Sequence, residues 1–219
     1  MKWIIEQEWK HVFFIHYEID ADLIKDLVPF KLDLYGGKAI ISIVPFLMEG
    51  IRFPYLPAVP AVSKLWELNI RTYVEVDGVR GIYFFTLETD SKLGELIARK
   101  FFHLPYRYSR IKASVEKNQY NFSHSRGDLN FKLQASLRER KDPSAFDIWA
   151  LERYCLFTKN KNQTFRGDVI HEPWNLKKVE ITLIEDQFTR MVADGINQQV
   201  TASYSDYLKV RFRPFKRIS

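Results

Sequence analysis

The stretch KLWELNIRTYVEVDGVRGIYFFTLETD, residues 64–90, constrains the fold more than any other part of the chain. Two runs rich in β-branched and aromatic residues flank Asp77-Gly78. Asp-Gly between such runs is the favoured chemistry of a two-residue hairpin turn, whose central residues need positive φ. A β-hairpin is predicted here, and an isolated hairpin is marginal in water, so other elements must cover it. KAIISIVPFLMEGIRF (38–53) supplies one: it is rich in Ile and Val and apolar at both alternating positions, the pattern of a strand buried on both faces.

The remaining segments extend this reading. Asp20 is placed to cap a short helix carrying Leu23, Ile24 and Leu27, which Pro29 ends. A proline-laden connector, RFPYLPAVPAVS (52–63), precedes the hairpin. After it, Asp90 or Ser91 can cap a second helix with an apolar stripe of Leu93, Leu96, Ile97 and Phe101, terminated by Pro105. RYSRIKASVEK (107–117), QYNFSH (119–124) and NFKLQASLRER (130–140) read as antiparallel strands, the last two joined across Arg126-Gly127-Asp128. SAFDIWALERYCLF (144–157) starts helical and ends extended. QTFRGDVIHEPW (163–174) and KKVEITLIED (177–186) read as a strand pair, residues 186–196 as short helical or irregular structure, and DYLKVRFRPF (206–215) as a closing strand. Strands dominate and no βαβ rhythm appears. The expected class is therefore mainly antiparallel β, a closed barrel or two packed sheets with a few short flanking helices, in one domain spanning 1–219.

Several function classes are disfavoured. AIISIVPFLM (39–48) has about half the length of a bilayer span and is interrupted by Ser42 and Pro45, so no transmembrane helix is expected. Glu6, Glu8 and Lys10 break the apolar core that a signal peptide needs. One cysteine, Cys155, forms no internal disulfide and fits a reducing compartment, so a cytoplasmic protein is expected and the glycosylation patterns at Asn121 and Asn162 carry no weight. Net charge is +6, concentrated at LKVRFRPFKRIS (208–219), where Arg211, Arg213, Lys216 and Arg217 fall. Elsewhere basic and acidic residues mix, and no DNA-binding motif occurs. A solvated edge strand is the preferred reading, and nucleic acid is not expected as a partner.

His11, His16, His103, His124 and His171 are widely spaced, and His171-Glu172 lacks a second histidine, so no metal is expected. No glycine-rich phosphate loop exists, Gly36-Gly37 being a turn before a core strand, so no nucleotide cofactor is expected. Cys155, flanked by apolar residues, reads as inert.

Three segments carry polar groups in suggestive patterns. In WELNIRTYVE (66–75) the strand period places Glu67, Asn69, Arg71, Tyr73 and Glu75 on one face, opposite Leu68, Ile70, Thr72 and Val74. That face either meets solvent or lines a cavity. In a cavity, Arg71 can grip a carboxylate with its two-pronged guanidinium while Asn69 and Tyr73 orient it. In LERYCLF (151–157), Glu152 and Arg153 form either an exposed pair at a helix end or a pocket pair needing partners. In IHEPWNL (170–176), Pro173 and Trp174 shape a turn on the core, and His171 is an acid or base with an ordinary pKa of about 6.5 if it lines a cavity.

Taken in order, VPFLMEGIRFPYLPAVP (44–60), ELNIRTYV (67–74), GIYFFTLETD (81–90), ARKFFHLPYRYSRI (98–111), LERYCLF and HEPWNL resemble the YqjF-like proteins over nearly the whole chain. These are an uncharacterised bacterial family, domain of unknown function 2071, grouped with the acetoacetate decarboxylase superfamily. The resemblance implies a cytoplasmic protein with an acetoacetate decarboxylase-like β-barrel or double-sheet fold. It does not imply decarboxylation. In the decarboxylases a glycine-x-proline-lysine-lysine stretch supplies the amine that forms a Schiff base with the substrate ketone. The matching stretch HLPYRYS (103–109) has Tyr106 at that position and Arg107 at the next. A phenol forms no imine, a guanidinium stays protonated, and Lys100 and Lys112 lie outside the motif. Arg71 stands where the family's catalytic glutamate is expected.

A pocket that has exchanged an amine and an acid for a phenol and a guanidinium is expected to hold an anionic or polar ligand, in particular a small carboxylate, rather than to turn over a β-keto acid. Arg71 and Tyr106 are expected at that ligand, with Asn69, Tyr73, Tyr108, Glu152 and Arg153 around it. The alternative is an enzyme working without an imine, with Tyr106 or His171 as acid or base and Arg71 stabilising an enolate. Tyr106 serves as a base at neutral pH only if a cation such as Arg107 lowers its pKa from about 10. A basic interaction module is the third reading, and self-association is left open.

Overall fold

The computed structural model describes residues 3–54, 64–102, 104–194, 196 and 199–218. The first half of the chain forms β1 (Ile5–Ile19), β2 (Lys31–Leu32), β3 (Ala39–Arg52), β4 (Lys64–Val76), β5 (Val79–Thr89), α1 (Lys92–Phe102) and β6 (Tyr106–Tyr108). β7 (Arg110–Glu116), β8 (Gln119–Arg126), β9 (Leu129–Arg140) and α2 (Ala145–Leu151) follow. β10 (Cys155–Asn160), β11 (Gln163–Ile170), β12 (Lys177–Asp186), β13 (Gln199–Phe212) and β14 (Lys216–Arg217) complete the fold.

The hairpin forms as its turn chemistry requires: Asp77 and Gly78 have φ of 50° and 74°, and Val76 pairs with Val79. Around it the strands follow the order β14-β11-β10-β5-β4-β3-β1-β13-β12-β9-β8-β7. Two joints are thin. β5 and β10 share the single pair Ile82 and Leu156, and β11 returns to β13 through Val169 with Phe212 and Ile170 with Arg211. With seams so short, the path folds over on itself as two layers rather than closing into a barrel.

β1, β3 and β4 are buried on both faces, and this decides where the site lies. One set of faces, with Phe13, Ile15, Ile41, Ile43, Leu68 and Ile70, packs against Tyr120, Phe122, Phe131 and Leu133 of β8 and β9. The other, with Val12, Phe14, Ile40, Val44 and Phe46, packs against Phe146, Ala150 and Leu151 of α2 and against Trp174. Phe13 and Phe14, adjacent in sequence, are both fully buried, one in each core, each worth roughly 1.5–3 kcal/mol. Pro45 sits inside this central region without breaking it. The β1–β3 ladder is interrupted between Lys10 and Ile15, His11 has φ of 55°, and a missing N–H is tolerated at such a bulge.

Four sequence expectations are corrected. The helix after Asp20 is only a 3-10 turn, Ala21–Leu23: of its three apolar positions only Ile24 is buried, while Leu23 and Leu27 stay exposed. α1 is capped by the Ser91 hydroxyl, which accepts from Gly94 N at 3.0 Å, but Leu93 and Leu96 of its stripe are exposed and Gly94, Ile97 and Ala98 face inward. The side chain of Phe101, His103 and the connector beyond residue 54 lie outside the described residues. β11 and β12 do not pair: β11 pairs with β10 across Lys161-Asn162, and β12 joins β9 and β13. β13 is no edge strand. It lies between β1 and β12, and Arg211 and Lys209 gather with Arg52 around the buried Glu6.

Candidate functional site

On the face of β4 opposite Leu68 and Ile70, a cavity of about 150 Å³ opens, covered by residues of α1, β6, the end of α2, β10 and β11. Its walls are mostly apolar, including Trp9, Phe14, Phe46, Phe84, Leu87 and Trp174. Gln7, Glu67, Asn69, Arg71, Tyr106, Arg153, Cys155 and His171 interrupt them with polar groups. The alternation of WELNIRTYVE therefore separates core from cavity, not core from solvent, since Glu67, Asn69 and Arg71 are only 2%, 3% and 7% exposed.

Tyr106 reaches this face because Pro105 ends the segment leaving α1 and β6 then runs parallel to β5, with Tyr106 beside Leu87. Its hydroxyl donates to Glu67 Oε2 at 2.6 Å, and Asn69 Nδ2 donates to Glu67 Oε1 at 3.0 Å. Burial pushes the Glu67 carboxyl up to about 7, against the opposing pull of Tyr106, Asn69 and the Arg71 charge. The same burial, with Glu67 as neighbour, holds the Tyr106 phenol well above its ordinary pKa. Toward Glu67, Tyr106 is a hydrogen-bond donor. Arg107, the cation that was to lower it, alternates to the opposite side of β6 and is exposed.

Arg71 is unusual for a buried guanidinium. Among the described residues it has no ion pair or hydrogen bond, its Nε is buried without a partner, and its charge lies over the Phe14 ring at 5.5 Å. Beside it runs a chain across three strands: His16 Nδ1 meets Ser42 Oγ at 2.7 Å, and Ser42 Oγ meets the Tyr73 hydroxyl at 2.7 Å. Burial and then the Arg71 charge push His16 down to about 3, so the chain is neutral and offers Arg71 no counter-charge. Tyr73 is spent on this chain and does not line the cavity.

Arg153 is the second guanidinium. Ser144 opens α2 with a capping box to Asp147, and at the helix end Arg153 Nε donates to the Trp149 carbonyl at 2.6 Å. Nη1 is paired with Asp33 at 2.7 Å, while Nη2 has no partner. Glu152 points elsewhere, accepting from the Tyr154 hydroxyl and from Trp174 N, and is absent from the cavity wall. Tyr108 is also outside it, 39% exposed beneath the Lys92 ammonium. His171 lines the cavity stacked on Tyr154. Its Nδ1 donates to the Glu172 carbonyl, and burial lowers its pKa against the opposing pull of backbone hydrogen bonds at Glu172 and Arg153. Cys155 also lines the cavity, where burial raises the thiol pKa.

The structure thus gathers Asn69, Arg71, Tyr106, Arg153 and His171 around one cavity and leaves Tyr73, Tyr108 and Glu152 outside it. It adds Glu67. The expectation that the pocket had lost its acid is corrected, since a carboxyl stands in contact with Tyr106. The period-2 pattern had put Glu67 on the polar face. No local signal brings a residue 39 positions later against it. No lysine is among the described residues lining the cavity, and no group of three or more His, Cys, Asp or Glu among the described residues is placed to hold a metal ion.

The sequence matches the family of domain of unknown function 2071, described as an uncharacterized conserved protein, over residues 6–209. The uncharacterized protein YqjF of Bacillus subtilis (strain 168) is 36% identical over 228 residues, covering 99% of this chain and 93% of YqjF. Among solved structures, an acetoacetate decarboxylase-like enzyme from Sphingomonas wittichii RW1 superposes with a TM-score of 0.70 at 12% identity, over 100% of this chain and 94% of that one. The enduracididine biosynthesis enzyme MppR complexed with pyruvate gives 0.70 at 12% identity, over 100% and 92%. Acetoacetate decarboxylase from Legionella pneumophila gives 0.69 at 14%, over 98% and 87%. At these identities the solved structures show the fold, which is acetoacetate decarboxylase-like. The 36% identity and the match across residues 6–209 go further: the chain belongs to the YqjF-like family, domain of unknown function 2071.

Proposed function

We propose that the cavity binds a small carboxylic acid with an apolar body, its carboxylate held by Arg71, and that it does so without an imine. The observation carrying this reading is the unpaired Arg71: a buried guanidinium that makes no ion pair or hydrogen bond among the described residues, and feels the Glu67 carboxyl only at a distance, is poorly compensated for its lost hydration, and an anionic ligand relieves that cost. A guanidinium donates two parallel hydrogen bonds to a carboxylate, which fixes its orientation. The apolar walls match the rest of such a ligand, and Asn69, Tyr106, Arg153 and His171 give it polar contacts. The pyruvate carried by MppR, a protein of the same fold, is a carboxylate and supports the reading by analogy. That no lysine is among the described residues lining the cavity supports the route without an imine. The single cysteine, buried and free, suits a reducing compartment, and among the described residues no helix is long and apolar enough to cross a membrane.

Calorimetry with 4-methyl-2-oxopentanoate and 4-methylpentanoate, against 4-methylpentanol as the uncharged control, tests the proposal. Both acids bind and the alcohol does not; Arg71→Met weakens the acids at least tenfold. Equal binding of acid and alcohol, or full affinity in Arg71→Met, overturns it.

A further inference from the structure

We propose that Glu67 and Tyr106 form a proton relay that interconverts keto and enol forms of the bound acid, making the protein a tautomerase of oxo-carboxylates. This rests on the carboxylate reading above and adds an activity to it. Two observations carry it. Both side chains line the cavity, so both can touch a ligand, and their single contact of 2.6 Å joins an acceptor carboxylate to a donor phenol. Asn69 holds the other carboxylate oxygen, which fixes the orientation of the pair.

The chemistry selects the substrate class. A carboxylate cannot remove a proton from an ordinary alkyl carbon. It can do so next to a carbonyl, where the C–H electron pair moves into a new C=C bond and the carbonyl π pair moves onto oxygen. Glu67 takes the carbon-bound proton. Protonated Glu67 then donates to the Tyr106 oxygen, which reverses their hydrogen bond and frees the Tyr106 proton for the nascent enolate oxygen. Glu67 ends as a carboxylate and Tyr106 as a phenol, so the pair is restored and the substrate has become its enol with no other reactant. Tyr106 is never required to persist as phenolate, in keeping with a phenol that burial keeps protonated. Arg71 meets the negative charge that develops during the transfer.

The groups around Glu67 are few. Arg71 and Asn69 share its strand, Tyr106 comes from β6, Phe46 and Thr89 flank it across β3 and β5, and Gln7 lines the cavity from β1. With its carboxyl near 7, Glu67 is ionised to a useful extent at neutral pH and remains a stronger base than an exposed glutamate.

The test is hydrogen exchange at C3 of 4-methyl-2-oxopentanoate in deuterium oxide, followed by proton NMR, beside calorimetric binding of the same acid. The wild type exchanges at least tenfold faster than buffer, with a rate that rises through the ionisation of Glu67. Glu67→Gln and Tyr106→Phe each lose at least tenfold in exchange measured at saturating acid, whatever their change in affinity. In Tyr106→Phe the residual rate has its ionisation displaced to higher pH, because the charged carboxylate has lost a donor. A merely structural Tyr106 does not move that profile. Binding without exchange in the wild type, or full exchange in either variant, overturns the relay and leaves carboxylate binding standing. Absence of binding overturns the carboxylate reading and the relay with it.

Discussion

Two glutamates on neighbouring strands are buried alike and surrounded differently. Glu67 on β4 and Glu88 on β5 are 2% and 0% exposed. Strand pairing places Glu88 opposite Leu68, so it enters the core on the far side of the sheet from Glu67. Glu88 is fully engaged there: Arg126 Nε donates at 2.9 Å, Thr86 Oγ1 at 3.0 Å, and His124 Nε2 lies 3.6 Å away. Burial pushes its pKa up, but His124 and Arg126 outweigh that and hold it below the ordinary carboxyl value. For Glu67 the balance runs the other way, because its donors are a phenol and an amide and its nearest cation, Arg71, is not in contact. A carboxylate with its own cation is structural. A carboxyl and a guanidinium buried in one cavity without neutralising each other leave both available to a ligand.

The largest effect expected from this contrast is on the paired side. Arg126→Met leaves Glu88 buried without its cation and destabilises the fold by about 3 kcal/mol in urea denaturation at neutral pH. A loss under about 1 kcal/mol would show that Glu88 is not neutralised by Arg126 and would erase the difference between the two sites.

The second effect is a pH slope of opposite sign. The folded-state pKa of Glu67 is raised from about 4.5 to about 7, so its contribution to stability is complete below the lower value and is lost as pH rises through the higher one. That window is worth on the order of 3 kcal/mol. Glu88, with its folded pKa lowered, contributes stability above the ordinary carboxyl range and loses it as pH falls. In denaturation curves collected from pH 5 to pH 8, Glu67→Gln removes most of the decline toward alkaline pH. An unchanged slope in that variant would assign the decline elsewhere.

The smallest effect sharpens the comparison most. Arg71→Met replaces an unpaired buried cation with an apolar side chain of similar length, so stability stays within about 1 kcal/mol or rises. A loss of about 3 kcal/mol in the same denaturation experiment, matching Arg126→Met, would mean that Arg71 already has a partner in the folded chain.

The legible part of the fold was whatever local chemistry specifies. Asp77-Gly78 dictated a turn, the doubly apolar run 38–53 dictated a central strand, and Pro105 ended the helical segment before β6. The first helix and the β11–β12 pair depend instead on what packs alongside: Leu23 and Leu27 stay exposed, and the chain after Trp174 crosses to β9. The site divides in the same way. The period of two placed Glu67, Asn69 and Arg71 on one face, but whether that face met solvent or a cavity depended on the residues of α1, β6, the end of α2, β10 and β11 that cover it.

The sequence by itself therefore determined the strands, their turns, the polar face of β4 and the absence of a local metal or phosphate motif, because these follow from spacing and side-chain chemistry within a few residues. Only the tertiary structure decided that this face is internal, that Tyr106 donates to Glu67, and that Arg71 is unpaired while Glu88 is not. Those facts arise from parallel pairing of β6 with β5 and from the folding of one layer over the other, contacts between residues far apart in the chain. No local pattern encodes which buried charge will find a partner. That is settled by which side chains meet when the layers pack.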